Sequence, residues 1–158
     1  CCSAQIMGPD MNGILIIAHA PLASALRDCA LHVFPDCAAG VQAVDVLPDE
    51  DPEVSFTRAQ QAMHRLGTEQ VLVLSDVFGA TPCNVAQKLG DGVSTRLVAG
   101  ANLPMLLRSV CYRHESLDAL ANRAQAGGAQ GIMPVGCTAP QNQTGKRQHA
   151  PGHHDHQQ

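Results

Sequence analysis

Between residues 11 and 136 the apolar positions switch repeatedly between unbroken runs and helical stripes. The run Gly13-Ile14-Leu15-Ile16-Ile17-Ala18 is continuously apolar, as expected of a strand covered on both faces. After Pro21, the residues Leu22, Ala25, Leu26, Cys29 and Val33 recur at the spacing of one helix face. Residues 41–47 read as a second strand. Asp51 is placed to cap a helix whose first turn holds Pro52 and Glu53, and Gly67 ends it. Residues 70–75 form a third apolar run. Thr81 and Pro82 open another helix, which Gly90 stops. A fourth strand over 95–99 precedes a helix through Pro104, Leu107 and Cys111. Ser116 caps a last helix that carries Leu117, Leu120, Ala121 and Ala124 to Gly127. A short β-like segment, 132–135, closes the pattern.

Strands alternating with helices in this way predict an α/β fold, a doubly wound parallel sheet with right-handed crossovers and helices on both faces. In such sheets, sites lie beyond the carboxyl ends of the strands. Three of those ends carry polar or glycine-rich turns: Ala18-His19-Ala20, Ser75 through Thr81, and Ala99-Gly100-Ala101-Asn102. If the first, third and fourth strands are neighbours, the three turns converge.

Both ends of the chain break the pattern. Residues 1–10 read as a leader or an extraneous remnant. Residues 137–158 are Pro, Gln, Gly and His with few apolar side chains, so they read as a disordered, His-rich tail. The expected single domain is therefore 11–136. With 158 residues, the chain is long enough to bury a core without staples.

Charge and composition then exclude several functions. Ten Lys and Arg against 14 Asp and Glu argue against a binder of nucleic-acid phosphates. No apolar run approaches the roughly 20 residues of a membrane span, and the N-terminus lacks a signal-peptide pattern, so a cytoplasmic protein without direct membrane insertion is expected. Seven scattered cysteines with no C-x-x-C pair fit a reducing compartment better than a disulfide framework. Phe34, Phe56, Phe78 and Tyr112 are too few to favour a flavin platform. Neither common Gly-rich nucleotide fingerprint occurs. No metal or other cofactor is expected.

The residues at the converging turns suggest one chemistry. His19, directly after the first strand, lies where helix N–H groups favour an anion. The same position also fits a histidine that merely satisfies a loop carbonyl. Asp76 can hold one ring nitrogen of His19 and leave the other as nucleophile, or it can be a simple turn residue. Gly79, Ala80 and Thr81 offer a small-residue loop, a hydroxyl and a helix start, the parts of an anion cradle. Asn102 joins them from the fourth strand's turn. Cys83 is an alternative nucleophile in a helix first turn, but no C-x5-R phosphate loop follows it. His32, His64 and His114 read as ordinary surface residues. The tail histidines 149, 153, 154 and 156 offer no more than opportunistic metal binding.

Three segments in this order, I-I-A-H-A-P-L-A-S-A-L, V-L-V-L-S-D-V-F-G-A-T-P-C-N and V-A-G-A-N-L-P-M-L-L, resemble the IIA domain of the mannose-type group of the bacterial phosphoenolpyruvate:sugar phosphotransferase system. The resemblance implies four parallel strands plus a C-terminal antiparallel edge strand, matched by 132–135, exchanged across a homodimer. It implies that His19 accepts a phosphoryl group from the phosphocarrier HPr and donates it to a IIB protein, with Asp76 as the supporting carboxylate. A second use of the same domain is as a regulatory sensor of phosphorylation state, which docks other proteins without sugar transport.

Overall fold

The computed structural model describes residues 11–136; the expected leader and His-rich tail lie outside them. The chain runs β1 (Gly13–His19), α1 (Leu22–Val33), a 3-10 turn (Pro35–Gly40), β2 (Val41–Val46), α2 (Pro52–Leu66), β3 (Val71–Ser75), α3 (Thr81–Leu89), β4 (Thr95–Ala99), α4 (Leu103–Cys111) and α5 (Leu117–Gln130). The sheet has the order β2-β1-β3-β4 and every pairing is parallel. β1 therefore lies inside the sheet, and residues 13–18 are all buried. That burial on two faces is why the sequence shows an unbroken apolar run there and not an alternating one.

Alternation along the strands sorts the core into two layers. Ile14, Ile16, Ala18, Leu72 and Leu74 pack with Ala23, Met105, Leu106 and Leu120 on the α1, α4 and α5 side. Leu15, Ile17, Val71 and Val73 pack with Ala59, Ala62, Val85 and Ala86 on the α2 and α3 side.

The helix ends follow their sequence signals. Asp51 accepts the Glu53 N–H at 2.9 Å, Pro52 occupies the first turn, and Gly67 closes α2 at φ 62°, where a Cβ would be strained. Ser116 caps α5 by accepting the Ala119 N–H. α5 does not stop at Gly127, however, but continues to Gln130. Gly127 and Gly128 are contact residues. A Cβ on Gly127 would lie 2.7 Å from the Arg108 Cβ, and one on Gly128 would lie 2.8 Å from the Met105 Cε. Their missing side chains let α4 and α5 approach closely.

A stability experiment follows from that contact. Gly127→Ala should lower the urea midpoint although alanine is the better helix former. Overpacking of this kind costs about 1–3 kcal/mol, against roughly 1 kcal/mol gained from helix propensity. An unchanged or raised midpoint would mean that α4 and α5 have slack.

The segment 132–135 lies beyond α5. Within the chain it forms no ladder, and Ile132, Met133 and Val135 are largely exposed. The ordered sheet of the single chain has four strands, ending at β4. An edge strand needs a neighbour to pair with, and α5 delivers this segment beside Pro104 at the carboxyl edge of the sheet.

Candidate functional site

The order β2-β1-β3-β4 places β1, β3 and β4 side by side, so the three expected turns do converge. His19 is the last residue of β1, and its side chain is 52% exposed. Asp76 immediately follows β3, with its side chain only 7% exposed. The Oδ2 of Asp76 accepts the His19 backbone N–H at 2.9 Å and lies 2.7 Å from His19 Nδ1. Its Oδ1 accepts the Val77 N–H at 2.8 Å. Burial alone would raise the Asp76 pKa, but the bonds from the His19 amide, the His19 ring and the Val77 amide outweigh it and hold the pKa below the ordinary 3.8. An ionised carboxylate only accepts. Nδ1 of His19 therefore donates to it, and in the neutral ring Nε2 is the nitrogen left with the lone pair.

The backbone that holds Asp76 is itself fixed from β4. The Gly100 N–H donates to the Asp76 carbonyl and the Ala101 N–H donates to the Ser75 carbonyl, each at 2.9 Å. Gly100 has φ 88°, a value that favours glycine. These two amides carry no sequence signal, since they act through backbone atoms. Ser75 carries none either; its hydroxyl is buried and is without a hydrogen-bond partner among the described residues.

Beyond Asp76, Val77 and Phe78 stand exposed, and Gly79 turns the chain at φ 83°. Ala80 is the N-cap of α3, and no side chain caps that helix. The first intrahelical bond runs from the Asn84 N–H to the Ala80 carbonyl. The Thr81 and Cys83 amides ahead of it are thus open to an outside acceptor, while Pro82 has none to offer. With the Thr81 hydroxyl beside them, this helix start can receive an anion.

Asn102 also sits at this edge of the sheet, at the start of α4. Its Oδ1 accepts the Met105 N–H at 2.9 Å as the N-cap of α4, and its Nδ2 donates to the Gly128 carbonyl at 3.2 Å. The carboxamide is committed at both ends to joining α4 and α5, so it shapes the neighbouring turn. Cys83 is only 1% exposed, which leaves its thiol out of reach of a substrate.

Among the described residues, no three His, Cys, Asp or Glu side chains gather as a metal site. None of the helices there is long and apolar enough to cross a membrane. A polar cleft of about 330 Å³, lined by Met11, Asn12, Glu69, Gln70, His114, Glu115 and Ser116, sits at the amino edge of the sheet, opposite His19.

Several proteins are similar to this chain. The relative from Bacillus subtilis strain 168, described as a "PTS system fructose-specific EIIA component", is 29% identical over 119 residues, covering 73% of this chain and 81% of that protein. The Escherichia coli K12 "PTS system mannose-specific EIIAB component" is 29% identical over 96 residues. That match covers 58% of this chain but only 30% of the relative. A mannose/sorbose-specific IIA subunit from Enterococcus faecalis matches in structure with a TM-score of 0.71 at 21% identity, covering 82% of this chain and 98% of that one. An EIIA component from Streptococcus agalactiae matches with a TM-score of 0.69 at 23% identity, covering 78% and 97%. At those identities the structural likeness speaks for the fold. The model of the EIIA-man family, described as "PTS system fructose IIA component", matches residues 13–125, and on that match the chain belongs to the mannose-type IIA family of the sugar phosphotransferase system.

Proposed function

We propose that this chain is a phosphocarrier that accepts a phosphoryl group on His19 from phospho-HPr and passes it to a IIB protein. One observation carries the reading: the 2.7 Å contact of His19 Nδ1 with Asp76, which leaves Nε2 free beside an uncapped helix start. In the transfer, the Nε2 lone pair attacks phosphorus while the P–N bond of the donor breaks. The donor ring keeps its other proton and leaves as neutral imidazole. The His19 ring, protonated at Nδ1 and phosphorylated at Nε2, becomes cationic, and the Asp76 carboxylate stabilises it. The Thr81 and Cys83 amides, the Thr81 hydroxyl, and the turn through Gly79 and Ala80 receive the phosphoryl oxygens, positioning that a loose transition state rewards. Asn102 contributes by fixing α4. The step needs no metal at the nucleophile. The exposure of Nε2 suits a group that must be reached by two protein partners in turn.

Incubation with phosphoenolpyruvate, enzyme I and HPr, read by intact mass, tests the reading. One added phosphate, labile in acid and stable in alkali, is expected. No added phosphate with the components of the same organism would overturn it. The setting would be the cytoplasm, where those partners work.

The carrier would act as a homodimer. Ile132, Met133 and Val135 are exposed apolar side chains, β4 presents an open sheet edge, and a strand from a second copy would cover both. Sedimentation should therefore give twice the chain mass. Truncation after Gly131 should yield a monomer or an aggregating species. A full-length chain that stays monomeric at all concentrations would sink this assembly.

A further inference from the structure

Among the described residues, the Ser75 hydroxyl alone is a buried side-chain polar atom without a hydrogen-bond partner. Ser75 is the last residue of β3 and is fully buried. A hydroxyl held out of water with nothing to bond is costly, so its surroundings matter. Register and alternation set its place. Ser75 pairs with Ile17 of β1, two residues before His19. Val71 and Val73 pack with Leu15 and Ile17 on the α2 and α3 side, and side chains alternate along a strand, so Ser75 and His19 both project to that side. Strands lie about 4.8 Å apart and rise about 3.3 Å per residue, which puts the two Cα atoms roughly 8 Å apart. The His19 ring leans toward β3, since its Nδ1 lies 2.7 Å from Asp76 Oδ2. An imidazole carrying a phosphoryl group is long enough to bridge that separation.

Helix α3 starts over the same place. Pro82 and Cys83 of its first turn are buried, and Val85 and Ala86 pack on the face that holds Ile17. The Thr81 and Cys83 amides have no acceptor among the described residues, and no side chain caps the helix. Two amides from α3 and one hydroxyl from β3 thus border the seat beside His19, and none of them has bonded another. What the three lack is an acceptor. A phosphoryl group on Nε2 brings three strong acceptor oxygens.

We infer that Ser75 is a phosphoryl-binding residue: its hydroxyl is unpaired in the resting protein and donates to a phosphoryl oxygen once Nε2 of His19 carries the group. The inference rests on the reading of His19 as the phosphorylated residue. A bond made only in the phosphorylated form stabilises that form alone. It therefore shifts the transfer equilibrium toward this chain and holds the phosphohistidine until an acceptor arrives.

Ser75→Ala removes the hydroxyl and gives up no hydrogen bond in the resting protein, so the urea midpoint of the unphosphorylated variant should not fall. The equilibrium constant for transfer from phospho-HPr to His19, read by intact mass, should drop by about 10-fold or more, the range of a hydrogen bond to a charged acceptor. The ³¹P resonance of the phosphohistidine should move from its wild-type position. Ser75→Cys, which keeps the volume but donates weakly, should reproduce the drop and covers the case of an unfolded alanine variant. A serine that only fills space would leave both the equilibrium and the resonance as in the wild type, and that result overturns the inference. Zwitterionic phosphoramidate loads His19 without HPr: Nε2 attacks phosphorus, the P–N bond breaks and neutral ammonia leaves. If phosphoramidate loads the wild type and phospho-HPr does not, the phosphocarrier reading fails, and the role of Ser75 stands or falls on the ³¹P difference between wild type and variants. If phospho-HPr loads the wild type and the variants match it in equilibrium and resonance, the role of Ser75 fails alone. If neither donor loads His19, both fall.

Discussion

His19→Ala should accept no phosphoryl group from phospho-HPr while keeping its fold. The imidazole is half exposed at the end of β1, so its loss leaves no cavity in either core layer. Its bonds to Asp76 are partly backbone, and the His19 N–H to Oδ2 bond survives the substitution. The ring contact is lost, but Asp76 still accepts from the His19 and Val77 amides. Melting should therefore shift little, and phosphorylation read by intact mass should fall to background. His32, His64 and His114 lie on or beside other elements, away from the uncapped start of α3, and offer no substitute nucleophile. A His19→Ala protein that still gained one acid-labile phosphate would move the site elsewhere and remove the basis of the mechanism.

Much of this arrangement is legible in the amino-acid pattern because its signals are local. The unbroken run 13–18 marks a buried strand, and the polar residues placed just after strands mark the edge where the candidate site gathers. His19 and Asp76 stand out because each follows such a run, and a parallel sheet brings those ends together. What stays hidden depends on contacts between distant segments. Gly127 looks like a helix stop, yet it is where the Cβ of Arg108 leaves no room for a side chain. Asn102 looks like a phosphate ligand in a glycine-rich turn, and nothing local shows that its carboxamide also bonds Met105 and Gly128. No local pattern shows that Asp45 reaches Ser24, since that bond depends on the register of β2 against β1. The 3-10 turn Pro35–Gly40 is too short to show a period, and Gly40 sits so close beneath the Arg113 guanidinium that a Cβ would fall 2.1 Å from it.

Asp76→Ala should slow phosphoryl acceptance by roughly 10²- to 10⁴-fold without abolishing it, the range associated with an oriented carboxylate behind a catalytic imidazole. Nε2 remains, but the ring loses the acceptor that fixes its tautomer and the charge that steadies the cationic product. Asp76→Asn should fall between alanine and the wild type, for a reason visible in the bonding. Oδ2 receives two donors, the His19 amide and Nδ1, whereas Oδ1 receives only the Val77 amide. An asparagine loses least by keeping its oxygen toward His19 and turning its NH₂ to Val77. That preserves the tautomer and sacrifices the charge. The pH dependence adds a second reading of the same group. Because the folded pKa of Asp76 lies below 3.8, its contribution to stability is present above that value and is lost as pH falls through the folded one. The difference in urea stability between wild type and Asp76→Ala should thus shrink as pH falls below the ordinary carboxylate value. An Asp76→Ala protein with wild-type rates in both directions would reduce the carboxylate to a turn residue and leave the orientation of His19 to another group, with Thr81 the first to replace.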